Sequence, residues 1–151
     1  MGIRRRAREL ALQALFQLDF HEGHSAEQIE AFVSHFEVSK KAIPFFDCIV
    51  HGVIKHSDEI DGHISHFSSH WKLYRMSIVD RNILRIAVFE LLYCKDIPYK
   101  VSINEAIDLG KRYGTEESGA FINGVLDSIH AHVFSGESVC SSQESDPKHP
   151  E

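Results

Sequence analysis

Residues 81–94, RNILRIAVFELLYC, are apolar on nearly every side when wound at 100° per residue. A surface helix carries one apolar stripe, so a helix without a polar face has to be enclosed by others. This segment therefore belongs at the centre of the molecule, with further helices packed around it. Ser77-x-x-Asp80 ahead of it has the spacing of an N-terminal cap, and Ile97-Pro98-Tyr99 closes it, because proline disfavours helical geometry in the residue before it.

The rest of the chain supplies the helices that such a centre needs. Ala7, Leu10, Ala11, Ala14, Leu15 and Leu18 recur at helical spacing and form a core face on a first helix. Leu12, Phe16 and Phe20 make a second apolar stripe on the same helix, so it either is buried on both sides or meets a partner. HEGHS at 21–25 reads as a turn, with Ser25 as the cap of a short second helix through Ile29, Phe32, Val33 and Phe36. From Pro44 to Ser69 helical spacing continues, with a break expected near Ser57. Ser102-x-x-Glu105 has the form of a capping box for a helix over 102–113, followed by Gly114 in the left-handed position. A last helix is expected from Thr115 through Ile129, in which Gly124 suggests the close approach of another helix. From Ser135 the chain turns Ser-, Glu- and Pro-rich, which predicts a disordered, acidic-leaning tail over 135–151. No strand pattern emerges. The fold class is all-α, in one domain over 1–134.

Charge singles out the beginning of the chain. Formal charge is −6 over 151 residues, yet Arg4, Arg5, Arg6 and Arg8 crowd what reads as the first helical turn. Cations there oppose the positive end of the helix macrodipole, at a cost of a few tenths to about 1 kcal/mol. Arginine is always charged and its fork matches phosphate oxygens, so the cluster points to nucleic acid.

Other chemistries find less support. Cys48, Cys94 and Cys140 are odd in number and far apart, which argues against a disulfide framework and for a reducing cytoplasm. Glu9, Gln13, Gln17 and Asp19 interrupt the first apolar run, so it is not expected to be a signal peptide, and no run approaches a membrane span. His56, His63, His66 and His70 share a face of a continuous helix, but Ser57 and Gly62 weaken that helix and no carboxylate completes a ligand set. No metal or cofactor is expected. The chain has no GxSxG and no Gly-rich phosphate loop, and no enzymatic activity is expected.

Two blocks, RRRARELALQALFQLDF and IVDRNILRIAVFELLYCKDIPYKVSINEAIDLGKRYGTEESGAFINGVLD, closely resemble the NusB family of transcription antitermination factors, and the similarity extends from about residue 3 to 133. The resemblance implies about seven helices in two antiparallel bundles. It also implies binding of the single-stranded boxA element in ribosomal RNA leader and spacer transcripts, jointly with the small-subunit ribosomal protein NusE. Other Nus factors and RNA polymerase are the implied indirect partners. By the same resemblance Arg4, Arg5, Arg6 and Arg8 form an arginine-rich RNA-binding motif, Phe121 is an aromatic at the RNA groove, and Glu117 lies on its rim. Phe16 faces NusE, with Leu12 beside it, and Asp80 and Arg81 begin the central helix of that interface. The region 20–43 and the tail after Ser135 match less well. A relative of this domain precedes the catalytic domain of some ribosomal RNA cytosine methyltransferases, and no cofactor-binding domain is present in this chain. The alternative is a homodimeric helical interaction module whose arginines are occluded.

Overall fold

The computed structural model describes residues 2–20, 26–36, 39–68 and 73–145, with side chains for all of these except Phe20, Ala26, Phe36, Tyr74 and 135–145. Seven α-helices occur among the described residues: α1 (Ile3–Phe20), α2 (Ala26–Phe36), α3 (Ile43–Lys55), α4 (Ser57–Phe67), α5 (Ile78–Tyr93), α6 (Tyr99–Tyr113) and α7 (Ser118–Ser145). A 3-10 turn at Leu73–Arg75 precedes α5. No strand occurs among the described residues.

The apolar segment at 81–94 is the axis of the molecule. Ile83, Leu84, Ile86, Ala87, Val88 and Leu91 are all buried, and α5 packs on α1 and α3 from one bundle and on α4, α6 and α7 from the other. Ser77 caps it as its spacing implies, its hydroxyl accepting from Asp80 N at 3.0 Å. The break between α3 and α4 falls at His56, next to the expected Ser57. Ser25, the cap expected for α2, lies outside the described residues.

Three local readings change. The helix expected over 102–113 begins at Tyr99 behind Pro98, so Ser102 and Glu105 are inside it and their side chains go to other helices. Gly114 is extended, at φ −99°, not left-handed. Its glycine is required by Ser118, whose Oγ would lie 2.3 Å from an added Cβ and which accepts a hydrogen bond from Thr115 N at 2.9 Å. The last helix starts at Ser118, and its backbone runs on to Ser145, past the expected tail boundary at 134/135. From Ser118 to Ser145 the sequence holds no proline, and the next one is Pro147. Residues 146–151 lie outside the described residues.

Glycine marks two close helix contacts. A Cβ at Gly52 would meet the Phe89 ring at 2.2 Å, which sets the α3–α5 separation, and one at Gly110 would meet Ile122 Cδ1 at 2.7 Å, where α6 crosses α7. Gly124, expected to admit a neighbouring helix, is exposed, with nothing within 4 Å of its Cβ position.

Two substitutions should therefore move stability in opposite directions. Gly124→Ala is expected to stabilise by up to about 1 kcal/mol, since an exposed helix-interior glycine loses only its entropy cost. Gly52→Ala should destabilise by about 1–3 kcal/mol through overpacking against Phe89. Urea unfolding followed by circular dichroism reads both. A destabilised Gly124→Ala would mean that this face of α7 is packed.

Candidate nucleic-acid interface

α1 begins at Ile3, so all four arginines fall in its first two turns. They divide sharply by exposure. The Arg8 side chain is 4% exposed, against 53%, 42% and 50% for Arg4, Arg5 and Arg6.

Arg8 points into the core. Its Nε and Nη2 donate to the two carboxylate oxygens of Glu90 at 2.8 and 2.9 Å, a bidentate pair buried on both sides. Ser102 Oγ donates to Glu90 Oε1 at 2.7 Å, and Arg8 Nη1 lies 3.6 Å from Glu105. The Phe45 ring of α3 lies 5.2 Å from the Arg8 guanidinium carbon. Helices α1, α3, α5 and α6 thus meet at one cation. The expectation that Arg8 contacts RNA is corrected here: it is consumed by Glu90 and lies out of reach of a ligand on the surface.

The three exposed arginines also have carboxylate partners. Arg5 makes a bidentate pair with Glu105 at 3.0 and 2.9 Å and reaches Asp108 at 2.6 Å. Those contacts, the Glu105 hydrogen bond foremost, hold the Arg5 guanidinium still more firmly protonated than usual. Arg4 reaches Asp96 at 3.3 Å and lies over Phe45, while Arg6 reaches Glu9 at 3.4 Å. Glu9 is itself buried, and Arg112 and Tyr113 of α6 share its carboxylate. Burial, and then the negative Glu9, push the Tyr113 hydroxyl above its ordinary pKa. Carboxylates from α5, α6 and the α5–α6 corner therefore offset the macrodipole cost of the arginine cluster. The Arg4–Asp96 and Arg5–Asp108 contacts are exposed, and such pairs contribute little to stability and are screened by salt, so phosphate oxygens can take their place, whereas Glu105 and the buried Glu9 hold Arg5 and Arg6 more firmly. Sequence reading missed Glu105, Asp108, Asp96 and Arg112; the acidic i, i+3 pair Glu105/Asp108 on α6 was the available signal.

Phe121 and Glu117 occupy a separate groove. It has a volume of about 290 Å³, is lined also by Arg75, Met76, Asp80 and Thr115, and shares no lining residue with the groove that holds Arg5, Lys111 and Arg112. Phe121 is half-buried against the core in the first turn of α7. Asp80 Oδ1 is buried without a hydrogen-bond partner, so a donor approaching this groove would satisfy it.

A third groove, of about 270 Å³, is lined by Glu9, Leu12, Gln13, Phe16, Val79 and Tyr113 and shares Glu9 with the groove that holds Arg5. Phe16 is half-exposed there, whereas Leu12 is buried in the core, so the second stripe of α1 is less open than its spacing suggests. The side chain of Phe20 lies outside the described residues. Arg81, expected at a partner face, is held internally by Asp19 at 3.3 Å and by the Leu73 carbonyl at 3.3 Å.

Among the described histidines, His56, His66, His130 and His132 pack against aromatic rings. His56 stacks on Tyr93 with centroids 4.1 Å apart, and His66 and His132 flank Phe67. No group of three or more potential metal ligands occurs among the described residues, and His70 lies outside them.

Comparison with known proteins matches residues 5–131 to the NusB family. Transcription antitermination protein NusB of Desulfatibacillum aliphaticivorans is 56% identical over 133 residues, spanning 88% of this chain and 93% of that protein. Among solved structures, T. maritima NusB superimposes with a TM-score of 0.77 at 45% identity, covering 84% of this chain and 89% of that one. A crystal structure of antitermination factors NusB and NusE in complex with double-stranded RNA superimposes at 0.78 with 30% identity, covering 87% and 98%.

The buried pair makes a stability expectation. Removing one partner strands the other charge, so Arg8→Met should destabilise by about 3–5 kcal/mol. The double variant Arg8→Met with Glu90→Leu should recover part of that loss, because no charge is left unpaired. Urea unfolding of both variants checks it, and a double variant as unstable as Arg8→Met would show that packing, not charge, dominates at this position.

Proposed function

The chain belongs to the NusB family, and on that footing we propose that it is a transcription antitermination factor that binds the single-stranded boxA element of nascent ribosomal RNA transcripts. It does so together with the ribosomal protein NusE, and the pair joins other Nus factors on RNA polymerase and suppresses premature termination. One observation carries the reading: three arginines with solvent-exposed side chains stand in the first turn of α1, on a chain of net charge −6. Arg4, Arg5 and Arg6 supply phosphate contacts, which hold the strand without reading its sequence. Phe121, with Glu117 at the rim of its groove, supplies a ring for an unpaired base.

The groove around Phe16 supports a protein partner there, while the unsatisfied Asp80 oxygen lies at the Phe121 groove. A hydrophobic ring set among polar residues suits a hot spot, and Asp80 offers an acceptor to a basic donor. The proposed role is binding, with no catalysis, and its compartment the cytoplasm. No helix among the described residues is long and apolar enough to cross a membrane.

Salt titration separates the contributions. With NusE present, changing Arg4, Arg5 and Arg6 to Ala should lower the slope of log K against log salt by about 2, at roughly 0.7 per single-strand phosphate contact, with similar losses for boxA and scrambled RNA. Phe121→Ala should cost about 1–3 kcal/mol and leave the slope nearly unchanged. An unchanged slope in the triple variant would remove the cluster from the RNA site.

Phe16→Asp should abolish NusE binding while the circular dichroism spectrum stays helical. A stable dimer by solution mass that ignores RNA with or without NusE would instead establish the homodimeric module.

A further inference from the structure

A line of rings and cations outside these grooves has no role in the reading above. Tyr99, the first residue of α6, lies face to face with His130 of α7, with centroids 3.6 Å apart and planes 13° from parallel. One turn further along α7, Phe134 meets His130 at 4.6 Å, and Lys95 Nζ sits 5.4 Å from the Phe134 ring centroid. The contact between α6 and α7 is already secured beneath by Ile103, Ile122, Leu126 and Ile129, all buried. Tyr99, by contrast, stays 40% exposed, and Lys95 and Lys100 are exposed on either side of it.

We propose that Tyr99, His130 and Phe134, flanked by Lys95 and Lys100, form a second stacking platform for unpaired bases of single-stranded RNA. Stacked rings with interleaved cations are what a sequence-tolerant single-strand surface requires, because every base has a π-face and every nucleotide a phosphate. Position supports the same occupant. Asp96, three residues before Tyr99, pairs with Arg4, so the platform begins where the exposed arginines end. A strand lying on Arg4 is thereby led onto Tyr99, and the platform extends the RNA path beyond the boxA element. Its preference among bases is weak, since the rings present faces and the lysines point charges.

The proposal rests on the reading that this chain binds single-stranded RNA, and the experiment separates it from the boxA assignment. The full chain with NusE is irradiated with boxA RNA carrying 4-thiouridine in flanks added at either end, and with a scrambled RNA of equal length. Cross-links are mapped after trypsin, which releases residues 96–100 as one peptide containing Tyr99. Cross-linking of the flank to this peptide is expected. Tyr99→Leu should weaken binding of the flanked RNA about five-fold or more, leave unflanked boxA and the melting temperature unchanged, and be rescued by Tyr99→Phe. Should Tyr99→Leu perturb folding, the double change of Lys95 and Lys100 to Ala should lower the salt slope by about 1.4 for flanked RNA only. Equal binding of boxA and scrambled RNA with the cross-link retained would refute the boxA assignment and leave the platform standing. Flank cross-links confined to peptides other than 96–100, or equal affinity losses for flanked and unflanked RNA, would overturn the platform.

Discussion

The buried pair between Arg8 and Glu90 is the contact on which the rest of the arrangement depends. Two desolvated charges are tolerable only when geometry is good and their remaining polar atoms are satisfied. Here the bidentate fork from α1, and the Ser102 hydroxyl and nearby Glu105 from α6, provide that around a carboxylate of α5. The pair ties α1 to the central helix at one end. At the other end Asp19 accepts from Asn82 Nδ2 at 2.9 Å and contacts Arg81 and Arg85, while Arg85 is bidentate to Asp61 of α4. Arg8 and Asp19 are separated by about 16 Å of helix at 1.5 Å per residue. Two polar clamps at that separation fix both the antiparallel direction and the register of α1 on α5, which apolar packing alone leaves free to slide.

Fixing α1 in this way decides which arginines remain on the surface. Successive residues of a helix point 100° apart, so once Arg8 is turned inward to Glu90, Arg4 and Arg5 are carried to the edge beside α6 and the α5–α6 corner. Their carboxylate partners hold the guanidinium groups in place before any phosphate arrives, and the exposed contacts to Asp96 and Asp108 exchange at little cost, since exposed pairs are weak and salt-screened. Glu9, buried one position beyond Arg8, draws Arg6 and Arg112 to the same edge. It is this edge that the proposed RNA contact uses.

How much of this was legible in the sequence follows from the range of each interaction. Helix positions, the Ser77 cap and the break at His56 depend on neighbours within a turn or two, and the residue pattern conveys them. The Ser102-x-x-Glu105 spacing misled because the same two residue types that make a capping box also make an interhelical polar contact, and their partners, Glu90, Arg5 and Arg8, lie far away in the chain. Arg8 was inseparable from its neighbours for the same reason: RRRAR states the charge of each residue but not its direction. Gly124 and Gly52 show the converse. Both are mid-helix glycines, yet only Gly52 faces another helix, and sequence spacing carries no information on what stands opposite.

The central claim is a division of labour within five residues, with Arg8 structural and Arg4, Arg5 and Arg6 facing RNA. Arginine side-chain nitrogen NMR during titration of the chain and NusE with boxA RNA reads each guanidinium separately. The Arg8 Nε resonance should remain protected from solvent exchange and unmoved throughout, while those of Arg4, Arg5 and Arg6 shift to saturation with the RNA. An Arg8 resonance that moves with the RNA, while the other three stay fixed on their carboxylates, would contradict the division.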